Sequence, residues 1–135
     1  MKNGWSFVEL LVLMIFLSIL FSIIFPVSKK WIDGMIVHSE IQKIVSFIRY
    51  TKYLSYSLED KVKIDFSKNI KIITSDGSKE KGYLSFVNVN GCQSFAFSKG
   101  VSYISGTMKV YFRGSRIATI TVMPVTGLIK VEERW

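Results

Sequence analysis

One carboxylate stands at the head of an otherwise uncharged stretch. Glu9 precedes Leu10 to Ser28, a run of Leu, Ile, Val, Phe and Met broken only by Ser18, Ser22, Pro26 and Ser28. The 21 residues from Trp5 to Phe25 contain no other ionisable group, and about 20 apolar residues suffice to cross a bilayer core as a helix. A carboxylate in hydrocarbon costs on the order of 3 kcal/mol or more, so it calls for a cation at the same depth. Cleavage after Gly4 would supply one: the new chain would begin at Trp5, with a free ammonium four residues before Glu9. The ammonium of one copy could then neutralise Glu9 of another.

Other reactive side chains are sparse. The single histidine, His38, has Glu40 two residues away but no second ligand at helical spacing, and a metal site needs three or four ligands; no metal or cofactor is expected. Gly77 and Gly82 have the spacing of a phosphate loop, yet Tyr83 and Leu84 follow where Lys and Ser or Thr are required. No Gly-x-Ser-x-Gly elbow or carboxylate pair suggests hydrolysis, so a non-enzyme is expected. The single cysteine, Cys92, cannot form an intramolecular disulfide and reads as a small buried hydrophobe. Lys109, Tyr111 and Arg113 alternate opposite Met108, Val110 and Phe112, with Arg116 just beyond. Two guanidiniums, an ammonium and a ring in one strand–turn unit are able to hold phosphates and stack a base, or form a solvated edge whose charges block strand pairing. Trp135, the last residue, reads either as folded back on the sheet or as a contact point.

The elements that carry these residues follow from periodicity. Beyond Pro26, Trp31, Met35, Ile41, Ile44, Val45 and Ile48 recur at three and four residues among charged neighbours, an amphipathic helix. Pro26 removes one helical hydrogen bond and predicts a local bend. From Lys61 the period becomes two: Val62, Ile64 and Phe66 alternate with Lys61, Lys63 and Asp65. Further strands are expected at 70–74, 83–89, 94–97, 107–112, 117–122 and 128–131, with turns at 75–78 and at Asn90-Gly91. The layout is α+β: a leader (1–4), a transmembrane helix (5–28), an amphipathic helix continuing it (29–58) and an antiparallel β domain (60–135), with the amphipathic stripe packed on one face of the sheet. The chain of 135 residues carries a formal charge of +8. Setting aside Lys2 and Glu9 leaves that excess unchanged, which suits an acidic partner such as nucleic acid, anionic glycan or lipid head groups, or a lysine-rich solvated surface.

The stretch Lys2-Asn3-Gly4, then Trp5-Ser6-Phe7-Val8-Glu9-Leu10-Leu11, with Pro26 behind it, resembles the signature of type IV pilins and type II secretion pseudopilins. Trp5 stands where that family usually has Phe, and Ser6 where Thr is commoner. Phe95-Ala96-Phe97-Ser98-Lys99-Gly100, the strand after Ser105-Gly106, and Thr126-Gly127 before Leu128 look like the C-terminal pattern of the GspH/FimT group of minor pilins and pseudopilins. The resemblance implies a prepilin peptidase that cuts after Gly4 and N-methylates Trp5, and a Glu9 that pairs with a neighbour's amino terminus during assembly. It also implies a cytoplasmic-membrane protein with its C-terminal domain outside the cytoplasm, and other pilins as partners. The function expected is a minor pilin or pseudopilin. The alternatives are a DNA-capturing minor pilin and a signal-anchored extracytoplasmic binding protein that never assembles.

Overall fold

The computed structural model describes residues 3–67 and 69–134; of Asn3, Gly4 and Trp5 only the backbone is described, and Trp135 lies outside the described residues. The chain is α+β, with one helix, α1 (Asn3–Ser57), followed by nine strands in two antiparallel sheets. Two compact units divide after Ile36.

Up to Ile36 the chain is helical, and α1 continues through Pro26. Every described side chain from Ser6 to Ile32 is exposed. The most apolar window of this helix is long and apolar enough to cross a membrane and has none of its residues covered by protein.

From Val37 onward the chain builds its own core. Val37, Ile41, Ile44, Val45 and Ile48 are buried, whereas Trp31 and Met35 stay 70% and 64% exposed. The buried stripe therefore starts at Val37, six residues later than periodicity alone suggests. The first sheet runs β3-β2-β1-β5-β6, where β1 is Lys61–Asp65, β2 Asn69–Thr74, β3 Gly77–Tyr83, β5 Ser94–Ser98 and β6 Val101–Ile104. The second runs β4-β7-β8-β9, with β4 Asn88–Gly91, β7 Gly106–Phe112, β8 Ser115–Val122 and β9 Ile129–Glu133. One cluster joins the helical stripe to Val62, Ile64, Ile70, Ile72, Phe95 and Phe97 of the first sheet and Met108, Val110, Ile120 and Val122 of the second. Each such side chain contributes roughly 1.5–3 kcal/mol on burial.

Two strands exceed the seven expected, and one is split. β3 carries Lys79, Glu80 and Lys81 on the outer edge of its sheet and has almost no buried face, so no alternation marks it; such charges keep an edge from pairing with other chains. β6 is only four residues long. The expected strand over 83–89 ends at Tyr83 and resumes at Asn88 because α1 captures the backbone between. Lys43 Nζ donates to the Tyr83 carbonyl at 2.7 Å, and the Ser85 N–H donates to buried Glu40 at 3.3 Å. Asn90-Gly91 is not a hairpin turn but the end of β4, registered with Lys109 and Met108. Gly91 has φ +93°, and a Cβ there would lie 2.8 Å from the Thr107 carbonyl, so close strand approach is what requires glycine.

Candidate functional site

Three regions carry chemistry, the first on the apolar helix. Glu9 sits in α1 among exposed Phe7, Val8, Leu10 and Leu11. No ionisable side chain follows it until Lys29, and both this carboxylate and the apolar side chains around it are exposed. The Gly4–Trp5 cleavage position is helical in backbone, and its side chains lie outside the described residues. Ser18 Oγ turns back to the Met14 carbonyl at 2.8 Å, satisfying a hydroxyl that hydrocarbon would otherwise strand. Pro26 lies within the helix, and an apolar notch lined by Ile23, Ile24, Val27, Trp31, Ile32 and Met35 brackets it in sequence.

The second region is the outer face of the second sheet. Lys109 lies between Asn90 and Thr119, and Tyr111 opposite Arg116. These three expected residues thus share one face. Arg113 does not: it occupies the β7–β8 turn with φ +49°, followed by Gly114 at +84°, and its guanidinium lies 4.9 Å from the Phe112 ring centre. The face also carries acid. Glu132 lies opposite Thr119 in the same cross-strand row as Lys109, about 10 Å away at two strand spacings. Lys130 bonds Glu132 at 2.7 Å, which lowers the Glu132 carboxyl below its ordinary value and raises the Lys130 ammonium. The strip is a mixed-charge surface with a threonine ladder, Thr107 Oγ1 meeting Thr121 Oγ1 at 3.2 Å.

The third region escaped the sequence reading. A groove of about 550 Å³ lies between the C-terminal part of α1, the β5–β6 turn and the turn before β9. Arg49, Lys52, Tyr53 and Tyr56 line it at i, i+3, i+4 and i+7 on one helix face; Lys99, Gly100 and Val101 come from the hairpin, and Val125 and Thr126 from the last turn. Three hydrogen bonds lock its walls. Buried Ser55 accepts from the Gly100 N–H at 3.1 Å and donates to the Lys52 carbonyl at 2.8 Å, while Lys52 Nζ donates to the Thr126 carbonyl at 2.9 Å. Gly100 takes φ +80° with Tyr56 Cδ2 3.5 Å from where its Cβ would be, so the turn can lie against that ring. Val125 has φ +66°, an outlier for a β-branched residue. It is held by paired backbone bonds to Ser102 of 3.3 and 3.2 Å. The available signal was the 49-52-53-56 spacing; the two turns that complete the groove lie some 45 and 75 residues further on.

Among the described residues no group of three or more His, Cys, Asp or Glu is placed to hold a metal ion. His38 Nδ1 faces Glu133 at 3.4 Å. Cys92 is half-buried, its thiol 3.2 Å from the Ser94 carbonyl. No family model, curated protein or solved structure matches this chain.

Proposed function

We propose that this chain is a pilin-like structural subunit, a minor pilin or pseudopilin of the GspH/FimT kind. In this reading it is processed after Gly4, inserted in the cytoplasmic membrane through α1 with its β-sheet unit outside the cytoplasm, and assembled through the same helix. The observation that carries the reading is the bare apolar segment with one carboxylate near its start: Ser6 to Ile32 is exposed throughout, and Glu9 has no neighbouring side chain of opposite charge in sequence. Lipid can cover the hydrocarbon but does not neutralise Glu9. A second copy can do both, because helices pack against helices and a mature Trp5 ammonium reaches the right depth. An unpaired charge in hydrocarbon is costly, so the pair favours one axial register between copies.

The test is chemical cross-linking in membranes of the native cell. The native chain is expected to give a ladder of multimers, and Glu9→Ala to reduce it roughly tenfold or more, because the substitution leaves each neighbouring ammonium unpaired. A ladder unchanged by Glu9→Ala would refute assembly through this carboxylate. The complete lack of a ladder would instead favour an anchored binding protein that acts alone.

A further inference from the structure

The groove on the sheet-bearing unit is independent of whether α1 assembles, and its chemistry is specific. Tyr53 and Tyr56 are 68% and 70% exposed, Tyr56 lying beside the Gly100 turn with most of its surface open to solvent. Arg49, Lys52 and Lys99 surround them, and none of the residues lining the groove is a carboxylate. Its floor adds Val101 and Val125, exposed at 48% and 69%. Three cations beside two exposed tyrosine rings, with two exposed valines in the same lining, suit a flexible polyanion that brings its own planar rings. Rings stack on tyrosine with little regard to sequence, while cations follow the backbone charge. An acidic peptide would satisfy the cations but leave the two rings without stacking partners. A phosphate polymer lacking bases would do the same.

The walls are also set in place rather than left to chance. Ser55 and Lys52 tie both turns to the helix, and the Pro124-Val125-Thr126 turn holds a valine in left-handed backbone. Conformations of this kind cost of order 1–3 kcal/mol and persist only where surroundings enforce them, commonly at ligand-binding positions. The outer face of β7 and β8 is the weaker polyanion surface, because Glu132 and Lys130 share it.

We infer that this groove binds single-stranded nucleic acid, with Tyr53 and Tyr56 stacking bases and Arg49, Lys52 and Lys99 contacting phosphates. The experiment is fluorescence anisotropy of a labelled oligothymidylate with the full chain in neutral-lipid nanodiscs. Saturable binding is expected, with affinity falling roughly 15- to 20-fold between about 50 and 200 mM salt, as three phosphate contacts on a single strand require. Tyr53→Ala and Tyr56→Ala should each weaken it about 5- to 150-fold, the range for loss of one stacked base. Tyr53→Phe should retain it. Arg49→Gln should weaken binding and flatten the salt dependence without touching a ring. Lys109→Ala with Arg116→Ala should change affinity less than about twofold, since their face lies outside the groove. Each variant is compared by thermal unfolding, and the exposed positions chosen leave the core intact.

Three results would overturn the inference. The first is no binding of the oligonucleotide by the native chain. The second is binding that survives both tyrosine-to-alanine substitutions. The third is equal competition by polyglutamate or polyphosphate at matched charge, which would assign the groove to acidic peptides or to bare phosphate chains.

Discussion

Two stretches of one helix behave in opposite ways. Between Leu10 and Ser28 α1 is uncharged on every side and covered on none; between Val37 and Ser55 it is apolar on one stripe, and that stripe is buried. The backbone is the same, and the source of stability is not. The later stretch is held by side chains of its own chain, Phe95, Phe97, Met108 and Ile120 among them. The earlier one offers Leu, Ile and Phe to whatever surrounds it and is long and apolar enough to cross a membrane. A single chain can thus carry one stretch covered by its own side chains and another whose apolar surface the chain leaves bare.

The sharpest way to break this contrast is to cut equal side chains from the two stretches. Phe95→Ala, at a fully buried position, is expected to destabilise the sheet-bearing unit by about 3–5 kcal/mol. Phe16→Ala, 62% exposed, should change that unfolding free energy by less than about 0.5 kcal/mol. Urea titration of both variants in micelles checks the pair; similar losses would mean that the helix beginning is part of the folded core.

A smaller effect sharpens how the later helix positions the groove. Ser55→Ala removes the acceptor for the Gly100 N–H and should cost about 1 kcal/mol, the low end for a donor that is only half-buried. Hydrogen exchange at Gly100 should accelerate more than exchange at Val110 in β7, which should rise only in step with the loss of global stability. Equal acceleration at both would show that the turn has no separate anchor.

The smallest expected effect is electrostatic and lies where the helix ends. Asp60 accepts hydrogen bonds from the Ser75 hydroxyl and, at 2.6 Å, from the Lys61 N–H. These hold its carboxyl below the ordinary value of 3.8, Ser75 being the larger cause. A carboxyl depressed in the folded state stabilises at pH above that ordinary value, and the contribution disappears as pH falls through the folded value. Ser75→Ala should therefore narrow the stability difference between pH 7 and pH 3, measured by thermal unfolding at each pH. A wider difference would contradict the assignment.

Much of this architecture was legible from residue order. The uncharged run from Leu10 to Ser28 and the alternation Val62, Ile64, Phe66 each declare their element, because burial imposes a period on the side chains. β3 was hidden for the converse reason: an edge strand with both faces wet has no period to show. Asn90-Gly91 misled because glycine there answers to a neighbouring strand's carbonyl rather than to a turn. The tyrosine–cation groove was half visible in the helix, at Arg49, Lys52, Tyr53 and Tyr56. Its other half required knowing that the turns of Lys99 and Val125 return to that helix, which the Gly100–Ser55 and Lys52–Thr126 hydrogen bonds establish. The helix start is legible in another sense: Gly4, Trp5 and Glu9 fit the proposed processing and pairing pattern, which would concern more than one copy.

The central claim is that this chain matures at Gly4 so that Trp5 can pair with Glu9 of a neighbour. The most direct test is the intact mass of the protein extracted from the membranes of its native cell. Loss of Met1 to Gly4 together with the gain of one methyl group is the predicted result. An uncut amino terminus would contradict the claim and leave α1 as a plain anchor for a basic β-sheet unit.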